Sequence, residues 1–367
     1  MQIATWLGVI FLIYVVLLAV SMIGSGFKLA TEGEARALFE LASNPLSGLL
    51  IGLLATALLQ SSSTVTSIIV GLVAGGLPVH LAVPMVMGAN IGTTITNTLV
   101  SLGHVSNKTE FRRAFAAATV HDFFNLFCVV VFLPIEILFS PLEKAASWCA
   151  NWLVGGDSLS LGSFNFIKPL TKPVVKLIAE PFAGFSATLG GAFLIVIGIG
   201  LIVLAITLLS RLLKRVLVGR AERILYNAIG RGPIAGIATG SVVTVLVQSS
   251  STTTSLIVPL AGTGILSVRD IFPFTLGANI GTTVTALLAA TAVSGDNAVF
   301  ALQIALVHLF FNIGGVLLIY STKFTRELPP RCAIALSKQA TRHPFWVAAY
   351  VLVIFFALPA GLLFLTT

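Results

Sequence analysis

Long apolar runs separated by short polar loops set the pattern of this chain. Runs of about 20 residues, enough to cross a bilayer as a helix, fall at 4–23, 81–102, 111–139, 189–209, 271–293, 299–320 and 346–365. The in–out alternation of barrel strands is absent, so the expected elements are helices. Two further runs, 45–75 and 232–263, are interrupted at their centres by Gln-Ser-Ser-Ser. Each splits into pieces of about a dozen residues, too short to span, which predicts a re-entrant helical hairpin with its tip near mid-membrane.

The pattern is duplicated. QSSSTVTS at Gln60–Ser67 returns as QSSSTTTS at Gln248–Ser255, GANIGTT at Gly88–Thr94 returns unchanged at Gly277–Thr283, and HDFFN at His121–Asn125 returns as HLFFN at His308–Asn312. Three blocks in one order at nearly one spacing predict two equivalent halves. Each half reads as a span, a hairpin, a run broken at Gly-Ala-Asn-Ile-Gly, and a span. Three crossings per half is an odd number, so the second half is expected to be inverted. The fold class is therefore all-α integral membrane, with two inverted repeats, each holding a re-entrant hairpin and a broken transmembrane helix. Residues 1–140 form the first repeat, 141–185 an extracytoplasmic linker, 186–321 the second repeat, and 322–367 a cytoplasmic segment with the last span.

Composition supports the membrane reading. The chain is 57% hydrophobic and 9% charged, with mean hydropathy +1.03, where soluble domains carry about 25% charged residues. A net charge of +8 does not point to nucleic acid, because most basic residues sit in short loops, where they set orientation. Arg211, Lys214, Arg215, Arg220, Arg223 and Arg231 are placed in the cytoplasm. Lys108, Arg112 and Arg113 share that side, as do Lys323, Arg326, Arg331, Lys338 and Arg342. The N-terminus then lies inside and the linker outside, despite Lys168, Lys172 and Lys176. The run at 3–20 lacks a basic leader and a small-residue cleavage site, so it reads as the first span. Cys128, Cys149 and Cys332 show no metal-ligand spacing and no disulfide framework.

Polar residues inside these runs carry the chemistry. At each hairpin tip a half-helix begins with unpartnered N–H groups, a serine cap and the positive end of its dipole. Two tips meeting near a pseudo-two-fold axis, Gln60, Ser61, Ser62 and Ser63 with Gln248, Ser249, Ser250 and Ser251, would hold an anion. Midplane sites between inverted halves belong to secondary transporters. The Gly-Ala-Asn-Ile-Gly breaks would expose carbonyls beside Asn90, Thr93 and Thr94, and beside Asn279, Thr282 and Thr283. Such oxygens suit a dehydrated sodium ion. Asp122 is an intramembrane carboxylate and so a functional candidate; its counterpart is Leu309. Asn125 and Asn312 stand one turn beyond those two positions and can face the same cavity. His121 and His308 read as interhelical hydrogen-bond partners, and Glu136 as a solvated group near the outer end of its span.

At these motifs the chain resembles the type II sodium–phosphate cotransporter family. The resemblance rests on both Gln-Ser-Ser-Ser blocks, both Gly-Ala-Asn-Ile-Gly-Thr-Thr blocks, FRRAFAAATVHDFFN at Phe111–Asn125, HLFFNIGG at His308–Gly315 and FTRELPPRCAIAL at Phe324–Leu336. It implies uptake of inorganic phosphate driven by co-transported sodium ions, with phosphate at Gln60–Ser63 and Gln248–Ser251. It also implies an additional sodium at Asp122, as in the family's electrogenic members, where electroneutral members carry glycine. Animal members have a long disulfide-bonded loop between the halves and a cytoplasmic tail; the short linker here favours a bacterial protein of the plasma (inner) membrane. The lipid bilayer, phosphate and sodium are the expected partners, with no obligate protein partner and no nucleic acid.

Two other readings compete. A membrane-embedded lipid-phosphate phosphatase would want a charged cluster at the tips, and glutamine with serines supplies neither strong base nor permanent cation. No enzyme is expected. Transport of another oxyanion, or coupling to protons, stays open on the residues alone.

Overall fold

The computed structural model describes residues 2–34, 44–155, 167–182, 184–228, 231–293, 295, 297–343 and 345–366. Every regular element among them is helical. Among the described residues, seven helices are long and apolar enough to cross a membrane: Ala4–Ala30, Val79–His104, Lys108–Phe139, Ala187–Leu217, Val268–Ala290, Ala298–Tyr320 and Phe345–Leu365. They fall on the seven apolar runs of the sequence.

The first half begins with α1 (Gln2–Glu34). Then α2 (Pro45–Leu59) starts at an Asn44 cap that accepts from the Leu46 N–H at 2.9 Å, with proline at its first position, where no N–H is needed. It stops because Gln60 turns left-handed, and α3 (Ser62–Ala74) restarts on a Ser61 cap. Next come α4 (Val79–Ile91), a 3-10 turn at Gly92–Thr94 and α5 (Ile95–Ser101). The half closes with α6 (Lys108–Phe139). The linker is itself partly helical, as α7 (Pro141–Gly155) and α8 (Ile167–Ala179), and its residues 156–166 lie outside the described set.

The second half follows the same order. It holds α9 (Ala187–Ala228), α10 (Pro233–Val247), the short pair α11 (Ser250–Ser255) and α12 (Ile257–Gly262), then α13 (Val268–Ala290) and α14 (Ala298–Tyr320). A polar helix α15 (Lys323–Ala340) leads to α16 (Phe345–Leu352), a π turn at Val353–Ala357 and α17 (Leu358–Thr366).

Two expectations are corrected. The run at 271–293 is not broken: α13 passes through Gly277–Thr283 as continuous α-helix, so its carbonyls stay in the helix ladder. Conversely, the second arm after Gln248 is divided at Leu256. Pro259 has no N–H to return to the Ser255 carbonyl, which removes the bond that would join the pieces.

The glycines of these motifs serve packing. Gly48 and Gly52 in α2, Gly88 in α4 and Gly92 in the turn that follows it, Gly236 and Gly240 in α10, and Gly277 and Gly281 in α13 are pairs spaced by four residues. That spacing lets helix backbones approach closely in lipid, where there is no hydrophobic drive to hold helices together. A Cβ on Gly52 would overlap the Met85 carbonyl, and one on Gly88 the Leu49 carbonyl. In the second half, a Cβ on Gly240 would overlap the Phe274 carbonyl, and one on Gly277 the Ile237 carbonyl. Ser241 Oγ donates across the second crossing to the Gly277 carbonyl at 3.0 Å.

Around these two crossings α1 and α9 lie side by side. The second arm in each half reaches toward the other half: α3 packs on α13 and α14, α11 on α5, and α12 on α6. One hydrophobic core therefore runs through both halves, from Val20, Ile23 and Ile69 to Phe272, Leu276 and Phe311.

Candidate functional site

Gln60 and Gln248 share one geometry. Their backbones sit at φ 54°, ψ 28° and φ 54°, ψ 31°, a left-handed conformation uncommon outside glycine. Each N–H closes the preceding helix, Gln60 on the Thr56 carbonyl at 2.8 Å and Gln248 on the Thr244 carbonyl at 2.7 Å. The side-chain amides do the same, Nε2 donating to the Ala57 carbonyl in one case and to the Val245 carbonyl at 2.8 Å in the other. Each Oε1 then accepts from a threonine on the third element, Thr96 and Thr285, both at 3.0 Å. The glutamines strap the tips to the glycine crossings.

The serines that follow start the next arm. Ser61 Oγ accepts from the Thr64 N–H, and Ser249 Oγ from the Thr252 N–H, both at 3.2 Å. Ser62, Ser63 and Ser250 are buried; Ser251 is partly so. Among the described residues the tips exchange no hydrogen bond directly. Asn97 of α5 links the first half to the second tip, donating to Thr254 Oγ1 at 2.7 Å and accepting from Ser255 Oγ at 3.0 Å. Its counterpart is Ala286, so this bridge exists once.

The asparagines of the repeat come together with the histidines in a buried knot between the halves. His121 Nε2 meets Asn279 Oδ1. Asn279 Nδ2 donates to Asn125 Oδ1 at 2.8 Å, and Asn125 Nδ2 to the Asn90 carbonyl at 2.8 Å. On the other side His308 Nε2 and Asn312 Nδ2 each stand 3.4 Å from Asn90 Oδ1. All six side chains are buried. Each histidine thus bonds the asparagine of the opposite half.

The hydroxyls proposed beside them are committed locally. Thr93 Oγ1 donates to the Asn90 carbonyl at 3.1 Å, Thr282 Oγ1 to the Ala278 carbonyl at 2.9 Å, and Thr283 Oγ1 to the Ile280 carbonyl at 2.7 Å. Such back-bonding occupies the hydrogen, leaving the oxygen lone pairs as acceptors. The side chain of Thr94 lies outside the described set. Among the described residues, Thr56, Thr98 and Thr244 Oγ1 and Asn312 Oδ1 are buried oxygens without a hydrogen-bond partner. The sequence reading missed Thr56 and Thr244. Their signal was present, a threonine four residues before each repeated glutamine.

Asp122 is buried, at 5% exposed. Its Oδ2 accepts from the Tyr350 hydroxyl at 2.8 Å, a partner from the last span that repeat analysis could not supply. Glu136 corrects its expected solvated role. Only 7% exposed, it accepts from the Leu142 and Glu143 N–H groups at 2.9 Å each and caps α7. A cavity of about 470 Å³ beside α1 and α8 is lined by Lys28, Lys172, Ser21, Ser25 and Thr171, with Asn297.

Comparison with known proteins matches both halves. A Na+/Pi-cotransporter family model aligns with residues 15–154 and 201–328. The chain is 35% identical over 430 residues to sodium-dependent phosphate transport protein 2A of Oryctolagus cuniculus, covering 95% of this chain and 65% of that protein. It is 33% identical over 440 residues to sodium-dependent phosphate transport protein 2B of Homo sapiens, covering 95% and 63%. The chain thus spans a little under two thirds of these relatives' length. No solved structure gives a significant match.

Proposed function

This chain belongs to the Na+/Pi-cotransporter family, and from that premise we propose that it is a membrane symporter coupling inward sodium movement to uptake of inorganic phosphate. The observation that carries the reading is the duplicated tip. Two glutamines in the same left-handed turn, each strapped to a threonine of the third element and each followed by a serine cap, are what an anion site on a pseudo-two-fold axis requires. The N–H groups opening α3 and α11, with Ser61–Ser63 and Ser249–Ser251, would bind phosphate in a site excluded from water, where each such bond counts for more.

The proposal takes the chain as two inverted repeats, with α2–α3 and α10–α12 as re-entrant hairpins whose tips lie near mid-membrane. Short apolar arms that cannot span alone support it. Sodium would be bound by oxygens around Asn90, Thr93, Thr94, Asn125, Asn279, Thr282, Thr283 and Asn312. The unpartnered oxygens of Thr56, Thr244 and Asn312 favour a cation with hard oxygen preference over a proton carrier. Asp122 would take an additional sodium, which makes the cycle sensitive to membrane potential. The two lysines of the cavity beside α1 would draw an anion toward the outer side. A plasma membrane location, with the N-terminus inside, completes the reading.

Radiolabelled phosphate uptake into proteoliposomes tests it. Uptake is expected with an inward sodium gradient and not with a potassium or choline gradient at the same pH. Gln60→Ala or Gln248→Ala should cut that uptake severely while the protein still inserts and purifies normally. Equal uptake in sodium and choline, or full activity of the folded double variant, would overturn it.

A further inference from the structure

The last span contributes a hydrogen bond that neither repeated half contains. Between Phe345 and Leu365 the sequence offers one hydroxyl, that of Tyr350. Most of this span faces outward, with Phe345, Trp346, Leu352, Val353 and Ile354 exposed. Tyr350 turns the other way and donates to Asp122 Oδ2 at 2.8 Å.

Its ring is held in place from two sides. Phe115 meets it edge-on at 6.3 Å and 76°, and Phe355 at 5.8 Å and 86°; both phenylalanines are fully buried. Tyr350 and Phe355 are five residues apart, a spacing that would point them away from each other in a regular α-helix. The π turn at Val353–Ala357, which begins between them and takes in Phe355, narrows that offset, since i→i+5 bonding turns less per residue than an α-helix. A local departure from α-helix geometry is therefore spent on clamping one tyrosine against one carboxylate.

We propose that Tyr350 is a positioning residue for the additional sodium site, holding the Asp122 carboxylate in the orientation that meets the cation. The inference rests on the reading of Asp122 given above. A carboxylate accepting a charge-assisted bond from a fixed ring keeps one rotamer in the absence of the ion, so less ordering is left to be done when sodium arrives. The last span, which lies outside both repeats, is by this bond tied to cation loading.

Tyr350→Phe removes the hydroxyl and keeps the ring between Phe115 and Phe355. The sodium concentration giving half-maximal phosphate uptake is expected to rise about tenfold, as for loss of one hydrogen bond to a charged group, with a smaller change in maximal rate at saturating sodium. In an Asp122→Gly background, or Asp122→Asn where the glycine variant is too unstable to purify, the same substitution should produce no further shift. An unchanged sodium dependence in Tyr350→Phe, or an equal shift in the Asp122 backgrounds, would overturn the assignment and leave the tyrosine a packing residue. Wild-type uptake that ignores sodium altogether would overturn the symport reading and this inference with it.

Discussion

Gly281→Ala tests whether the crossing of α10 and α13 is as close as described. An alanine Cβ there would lie 2.6 Å from the Ser241 carbonyl oxygen and 2.7 Å from Thr244 Cβ. Carbon–oxygen contacts settle at about 3.3–3.6 Å, so the two helices would have to part by about 0.7–1 Å. A gap of that size forfeits roughly a quarter to a half of the dispersion energy of the contacts it opens. Overpacking costs typically about 1–3 kcal/mol, and the upper half of that range is expected because backbone cannot rotate out of the way. The effect reaches the tip as well. Thr285, one turn beyond, holds Gln248 Oε1 at 3.0 Å, and a shift of about 0.7 Å along that line would leave no hydrogen bond. The assay is the temperature at which the detergent-purified protein loses its monodisperse peak, paired with sodium-driven phosphate uptake. Both should fall. Gly361→Ala is the control: no atom lies within 4 Å of its added Cβ, so stability should hold or rise by up to about 1 kcal/mol. A Gly281→Ala protein with wild-type melting and uptake would refute the close crossing.

Asp122→Gly should leave slower phosphate uptake that no longer responds to membrane potential, measured in proteoliposomes clamped with valinomycin at inside-negative and zero potential, whereas Leu309→Ala should keep the response. Retention of the wild-type potential dependence in Asp122→Gly would make the aspartate a packing group. At the polar end of α13, Glu327 bonds Arg269 Nε at 2.9 and 3.0 Å with Arg331 3.7 Å away. The Arg269 bond, helped by the charges of Arg269, Arg331 and Arg326, holds the Glu327 carboxyl below its ordinary value of 4.5. A lowered carboxyl stabilises the folded protein at neutral pH and loses that contribution as pH falls below about 4.5, through its lowered value. Glu327→Gln should therefore melt slightly below wild type at pH 7, by at most about 1 kcal/mol in this solvent-screened pair, and the gap should close in acid; a gap constant with pH would place the effect elsewhere.

Apolar run length made the spans legible, because a bilayer demands about 20 such residues regardless of what packs where. The duplicated motifs made the tips legible, since Gln60 and Gln248 keep both their turn and their threonine strap. The glycines of the second block were read with the wrong mechanism, since α13 runs on through them, whereas the first block does interrupt its run with the 3-10 turn at Gly92–Thr94. Gly-Ala-Asn-Ile-Gly is at once a helix-weakening sequence and a four-residue glycine spacing, and only the partner surface on α2 or α10 decides between the two. Tyr350 was invisible for a different reason. Its significance depends on a contact between α16 and α6, 228 positions apart, and nothing local marks a tyrosine in an apolar span as a ligand for a distant carboxylate. Glu136 failed likewise, because burial by a following helix is a tertiary fact.

The two glycine crossings set what can move in this molecule. Interfaces built from side chains can shear, as rotamers change and one layer slides over another. Where carbonyl groups of one helix rest on the bare α-carbons of the next, there is no such lubricating layer. Each tip-bearing arm, α2 or α10, must therefore travel with its partner, α4 or α13, as a single block. Under the proposed transport function, a change of access from one face of the membrane to the other would have to be hinged elsewhere, at contacts that still have side chains to rearrange, such as the knot of asparagines and histidines where the two halves meet.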